Sequence, residues 1–217
     1  LLSTTAERTM STFTPLSTLL AARSIEADRV RFEVPHDWLQ GRTSFGGLIS
    51  VLAVQAMRDV AGSAWPAAVR LRALQTSFIG PVGPGPAEVL VTLLREGKNI
   101  RQVQALVRQQ GQTAALLLGV FGVDRATVVP VMAEDIAPRE RPANAIPNFT
   151  QHMDMRFAEG VLPISGQASD MSRIYLRLKG EPAAVDLELL TVLLADVPPS
   201  PVISVFTQPT PASSVSW

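Results

Sequence analysis

Val30, Phe32 and Val34 alternate with Arg31 and Glu33, so residues 30–34 read as a half-buried strand that Pro35 stops. A short helix over residues 15–23 precedes it, with Leu19 and Leu20 as its apolar side. The pattern changes after Gly46 and Gly47. Leu48, Ile49, Val51, Leu52, Val54, Met57 and Val60 follow, and Ala53 and Ala56 fill much of the remaining face. A helix that is apolar nearly all round belongs in the middle of a core rather than on a surface. Residues 69–75 alternate again and end near Pro81, and residues 80–86, with three prolines, form a stiff loop. Residues 87–94, 100–108 and 113–123 are three further strands joined by glycine-containing turns, a meander.

Residues 130–147 are rich in Pro, Ala, Arg and Glu and show no period, as expected of a linker. Beyond it the same grammar restarts. Strands are predicted over residues 152–157 and 173–179, then a second apolar helix over 185–195, broken by Pro198, Pro199 and Pro201. Residues 213–217 alternate as a further strand begins. The expected architecture is α+β, with one half at 10–129, the linker at 130–147 and a second half at 148–217. Each half is a helix wrapped by an antiparallel sheet. The second has too few strands to cover its helix, which predicts that the intact protein continues past Trp217. Residues 1–9 lack the basic start and apolar middle of a signal peptide, and Met10 opens the sequence more naturally, so they read as a leader outside the fold.

Composition narrows the function. With 217 residues, 47% hydrophobic, and a formal charge of +0, the chain can bury a large core but has no basic surplus for nucleic-acid phosphates. Zero cysteines exclude disulfides, thiolate metal sites and a cysteine nucleophile, and fit a reducing cytoplasm. His36 and His152 are the only imidazoles, too few for a multi-histidine metal site. No apolar run is long and helical enough to span a bilayer.

Few residues remain as candidates for chemistry. Gly46 and Gly47 at a helix start expose backbone N–H groups beside the positive end of the helix dipole, where a carbonyl can be polarised. The plainer reading is a tight helix entry or close backbone packing. Asp196 stands at the carboxyl end of the second helix, where its charge opposes the dipole, between Ala195 and Val197. That helix end and partial burial both favour proton uptake, the property of a general base. The alternative is a solvated carboxylate in the turn before Pro198. Ser214 begins the strand that must pair beside that helix, where a hydroxyl could hold a water against Asp196 or be an ordinary strand serine. Arg95 and Lys98 flank Gly97 in a hairpin turn, which turn chemistry explains and which could also meet ligand phosphates. His36 reads as a loop residue, and Tyr175 and Arg177 as sheet residues.

Taken in order, several motifs resemble the acyl-CoA thioesterase II family of double hotdog proteins. They are Trp38 with Gly41 and Arg42, then Phe45-Gly46-Gly47 opening the long helix, then residues 71–81 with Phe78 ahead of Pro81. The turn Arg95-Glu96-Gly97-Lys98-Asn99, residues 101–107 and Gln110-Gly111-Gln112 are similar to that family's central hairpin. Met155-Arg156-Phe157, Tyr175-Leu176-Arg177 and Leu193-Leu194-Ala195-Asp196 resemble its second half. The resemblance spans residues 13–217. It implies two hotdog halves, the second incomplete, and hydrolysis of an acyl-CoA thioester to free acid and CoA. It also implies that Asp196 and a hydroxyl, best matched by Ser214 with Ser213 or Ser216 as register neighbours, orient the attacking water with a glutamine that would lie beyond Trp217. Phe45, Gly46 and Gly47 would bind substrate, with no metal or redox cofactor, and copies would associate as homodimers or higher homo-oligomers. Phe45 stands where other hotdog enzymes carry His before Gly-Gly, and residues 48–57 hold no acid, which disfavours a dehydratase. With the glutamine absent and Ser in place of Thr, a non-catalytic acyl-CoA-binding hotdog protein is the alternative. A purely structural oligomer is a weaker third reading.

Overall fold

A computed structural model of the chain describes residues 13–124, 126 and 147–208. Its first elements are α1 (Leu16–Ala21), β1 (Ser24–Ile25) and β2 (Arg29–Val34), with Val30, Phe32 and Val34 buried as their alternation predicts. A 3-10 turn at His36–Trp38 leads into a small hairpin of β3 (Leu39–Gln40) and β4 (Thr43–Ser44), which delivers the chain to α2 (Gly46–Val60). From Gly47 to Met57 every α2 residue except Gln55 is buried. The helix lies on the inner face of a sheet, against Val89, Val91, Val103, Val107, Leu117 and Phe121.

That sheet contains β5 (Arg70–Phe78), β6 (Gly85–Glu96), β7 (Ile100–Gln109) and β8 (Gln112–Gly122), in the antiparallel order β1-β2-β6-β7-β8-β5. The predicted meander is β6-β7-β8. β6 extends beyond the predicted 87–94 because its ladders continue, Gly85 opposite Val34 and Glu96 opposite Arg101. The strand after α2 does not pair with its successor. β5 lies on the far side of β8, from Phe78 opposite Ala115 to Arg70 opposite Gly122. The glycine- and proline-rich segment between β5 and β6 therefore returns across the end of the sheet, where the Gln109 carboxamide ties it down. Gly83 N–H donates to Gln109 Oε1 at 2.7 Å, and Gln109 Nε2 donates to Gly83 O at 2.9 Å.

The second half opens with a 3-10 turn at Asn148–His152, followed by the antiparallel pair β9 (Met153–Gly160) and β10 (Ser172–Leu178), α3 (Leu187–Ala195) and a 3-10 turn at Pro201–Val205. α3 starts two residues later than its apolar pattern because Asp186 caps it, accepting from Glu188 N–H at 2.8 Å. Phe149, Met153, Met155, Leu189, Val192 and Leu193 join the same core as α2, so the halves share one interior. Glu188 reinforces that junction. It accepts from Arg58 Nε at 2.6 Å and from Leu71 N–H at 2.7 Å. No helix among the described residues is long and apolar enough to cross a membrane. Residues 1–9, all of the linker except Pro147, and the strand at 213–217 with Ser213, Ser214 and Ser216 lie outside the described residues.

Candidate active site

Where the end of β5, the β3–β4 hairpin, the start of α2 and the end of α3 converge, they enclose a cavity of about 320 Å³. Ile49, Phe78, Pro81 and Val82 make its apolar wall, and Gln40, Thr43, Ser44 and Asp196 its polar one. The helix entry is held rigidly. Phe45, the residue ahead of α2, is buried and stacks on Phe149 with ring centroids 4.0 Å apart and planes 3° from parallel. Its N–H donates to Trp38 O at 3.0 Å, and Ser44 N–H donates to Val82 O at 2.7 Å. Leu48 and Ile49 N–H both turn back to Phe45 O. Phe45 has no side-chain oxygen to cap the first turn, and Gly46, which lines the cavity, brings the positive end of α2 to it.

Asp196 ends α3 as its C-cap, at φ −94° and ψ 0°. Its carboxylate reaches the start of α2 because residue 46 has no side chain. A Cβ placed on Gly46 would lie 2.6 Å from Asp196 Oδ2 and 2.8 Å from the Phe78 ring. One on Gly47 would lie 2.5 Å from Leu193 O and from the Phe45 ring. The two helices thus meet with the carboxyl end of α3 against the amino end of α2, and Asp196 sits between the two dipole ends. A carboxylate and the positive end of a helix thus face one small, partly apolar chamber. That combination suits attack of water on a polarised carbonyl.

Gly46 and Asp196, predicted from separate halves, line the same cavity, and Phe45 and Gly47 form the buried shoulder behind it. Ser214 lies outside the described residues. The hairpin with Arg95 and Lys98 is at the opposite end of the sheet, beside the Gly122 end of β8, about 24 Å along that strand from Ala115. His36 is exposed and away from the cavity lining, and Tyr175 and Arg177 are exposed on β10, where Arg177 donates to Asp154 at 2.8 Å. Sequence reasoning missed Gln40, Thr43 and Ser44, because two-residue strands have no period to read. It also missed the setting of His152. That ring is fully buried between Trp38, 4.0 Å away and stacked, and Phe13, 4.5 Å away, with Nε2 3.3 Å from Asp37 Oδ2. Burial holds the imidazole below its ordinary pKa, against the opposing pull of the Asp37 charge. Among the described residues no three His, Cys, Asp or Glu side chains cluster to hold a metal.

The acyl-CoA thioesterase N-terminal domain description matches residues 34–122, and the acyl-CoA thioesterase C-terminal domain description matches residues 130–217. No curated protein matches the chain. Among solved structures, a hot dog fold protein of unknown function from Alicyclobacillus acidocaldarius is similar, with a TM-score of 0.75 and 19% identity, over 94% of this chain and 77% of that one. The acyl-CoA thioesterase II TesB2 of Mycobacterium marinum is similar with a TM-score of 0.59 and 18% identity, over 82% of this chain and 65% of that one. The tesB protein of Mycobacterium avium subsp. paratuberculosis gives 0.58 and 20%, over 83% and 66%. The chain thus spans just under two-thirds of the length of the two mycobacterial proteins. The fold is the hotdog, present in two halves.

Proposed function

Since the chain belongs to the acyl-CoA thioesterase family, a family of thioester hydrolases, we propose that it hydrolyses acyl-CoA thioesters at the chamber between α2 and α3. The observation that carries this reading is the Asp196 carboxylate lodged in the space a Gly46 side chain would fill. Asp196 accepts a proton from water as the water oxygen bonds to the thioester carbon. The amides of Gly46 and Gly47 stabilise the negative charge that develops on the carbonyl oxygen. Collapse breaks the C–S bond, and the proton held by Asp196 passes to the departing sulfur, giving free acid and CoA. Ser214 is the hydroxyl we assign to hold that water beside Asp196, and Phe45 fixes the helix entry against Phe149.

Release of CoA thiol from short, long and aromatic acyl-CoAs tests this, in a protein that contributes no thiol of its own. Asp196→Asn lowers kcat by on the order of 100-fold while acyl-CoA affinity changes little, as expected for a group that acts in the transition state. Equal loss of turnover and affinity sinks the role of Asp196. Tight acyl-CoA binding without thiol release would favour the non-catalytic binding reading. We also take residues 10–129 and 148–217 as the two hotdog halves, joined by 130–147, in a cytoplasmic protein that forms at least a homodimer. Half-buried Leu90, Leu106, Leu116 and Leu118 on the outer sheet face support association, which light scattering measures directly.

A further inference from the structure

Coenzyme A carries a nucleotide with a diphosphate and a 3′-phosphate, and a chamber of about 320 Å³ is at the small end for any ligand. It accommodates the thioester and part of the acyl and pantetheine chains, so the phosphates must lie outside. Something at the rim should meet their charge. On the proposed thioesterase reading, we infer that Arg42 is the phosphate anchor that distinguishes CoA thioesters from thioesters without phosphates.

Arg42 stands at the turn of the β3–β4 hairpin, between Gln40 and Thr43, and both of these line the cavity. Its position is stiff. Leu39 pairs with Ser44 and Gln40 with Thr43, Gly41 takes the left-handed conformation at φ +75° that the tight turn needs, and Ser44 N–H is tied to Val82 O. The guanidinium is exposed and makes no hydrogen bond or ion pair among the described residues.

Several other cations are engaged or remote. Arg23 pairs with Asp59, Arg58 with Glu188, Arg72 with Asp124 and Arg101 with Glu96. Arg108, near the cavity end of the sheet, donates to Gly111 O at 2.9 Å. Arg95 and Lys98 are at the other end of the sheet. A guanidinium left without a carboxylate, on a rigid rim, has the planar donor fork that suits a phosphate. Gln40 and Thr43 on either side of the turn line the chamber, so one short hairpin can hold the nucleotide and frame the acyl group together.

The test compares an acyl-CoA with the matching acyl-pantetheine thioester, which has no phosphate, as substrates of the wild-type chain and of Arg42→Ala. Arg42→Ala raises KM for the acyl-CoA about tenfold more than for the pantetheine thioester, and Arg42→Lys recovers part of the difference. Raising salt narrows the wild-type preference for the CoA substrate. Equal losses on both substrates, or none on acyl-CoA, overturn the assignment. Arg95→Ala serves as the control cation and keeps the wild-type ratio. Turnover of the pantetheine thioester by wild type tests the hydrolase reading separately from Arg42. Calorimetric binding of CoA itself reads the anchor without turnover, and equal affinity in wild type and Arg42→Ala would also overturn it. With a dephospho-CoA thioester, persistence of the Arg42 effect assigns it to the diphosphate and its loss to the 3′-phosphate.

Discussion

Replacing Gly46 with alanine adds one methyl group at the point where the two halves of the protein meet. The new Cβ would stand 2.6 Å from Asp196 Oδ2 and 2.8 Å from the Phe78 ring, against an ordinary contact of at least 3.4 Å. Asp196 must retreat by about 0.8 Å, and misplacements of about 1 Å cost on the order of 100-fold in rate. Retreat is constrained at its other side. The carboxylate is fixed to the end of α3, whose Leu193 carbonyl already lies against Gly47. Stability responds less than rate, because two effects oppose each other. Alanine gains about 0.5–1 kcal/mol over glycine in a helix, while overpacking costs about 1–3 kcal/mol. The net loss of about 0–2.5 kcal/mol corresponds to a fall in Tm of at most roughly 10 °C for a chain this size.

We therefore expect Gly46→Ala to remain folded at 25 °C with kcat reduced about 100-fold, read by thiol release beside a thermal melt. Gly47→Ala is the informative neighbour. Its Cβ would meet a backbone carbonyl and a stacked aromatic ring at 2.5 Å, neither of which swings aside, so it lowers Tm more than Gly46→Ala does. Wild-type kcat in folded Gly46→Ala would refute the claim that the seat of Asp196 against α2 is where turnover is set.

Three further outcomes follow from the contacts between the halves. Unfolded His152 takes up a proton near its ordinary pKa of 6.5, whereas burial lowers the folded value, so its contribution to stability is complete above that pH and is lost as pH falls below it. Tm should accordingly drop between pH 7.5 and 5.5 more steeply in wild type than in His152→Gln, and parallel curves would show that another group titrates. Glu188→Gln weakens both the Arg58 ion pair and the bond to Leu71 N–H, and should cost about 2–3 kcal/mol in urea unfolding with an unchanged slope; an unmoved midpoint would show that apolar packing alone joins the halves. Phe149→Ala removes the stacking partner of Phe45 and should cost about 3–4 kcal/mol, and a Phe45→Ala, Phe149→Ala double variant should lose less stability than the sum of the two single losses if the stack is a true pair.

What the sequence made legible was each element's own periodicity. α2 was visible as a helix without a polar face, and β6-β7-β8 as alternating strands between glycine turns, because those signals are local. Nothing local says that β5 passes over β7 and β8 to pair at the far edge, since its alternation would suit either neighbour. The same distinction runs through the site. Asp196 stood out because it breaks the charge rule of its own helix, and the glycines because they open another. That the two features complete each other depends on how α3 packs against α2, which neither pattern encodes. The hairpin with Arg95 and Lys98, which turn chemistry already explains, shows the converse limit. Its composition suits phosphates, but the register carries it to the end of the sheet away from the cavity, while Arg42 sits at the rim within a hairpin too short to have a pattern. His152 was read as the first residue of a strand, and instead ends the turn before it with its ring enclosed by aromatic groups from the other half. Local rules therefore located the walls of this protein well and its chamber poorly, because the chamber is made of element ends. A residue such as Gly46, which has a sufficient local reason to be glycine, conceals a non-local one until a Cβ is built on it.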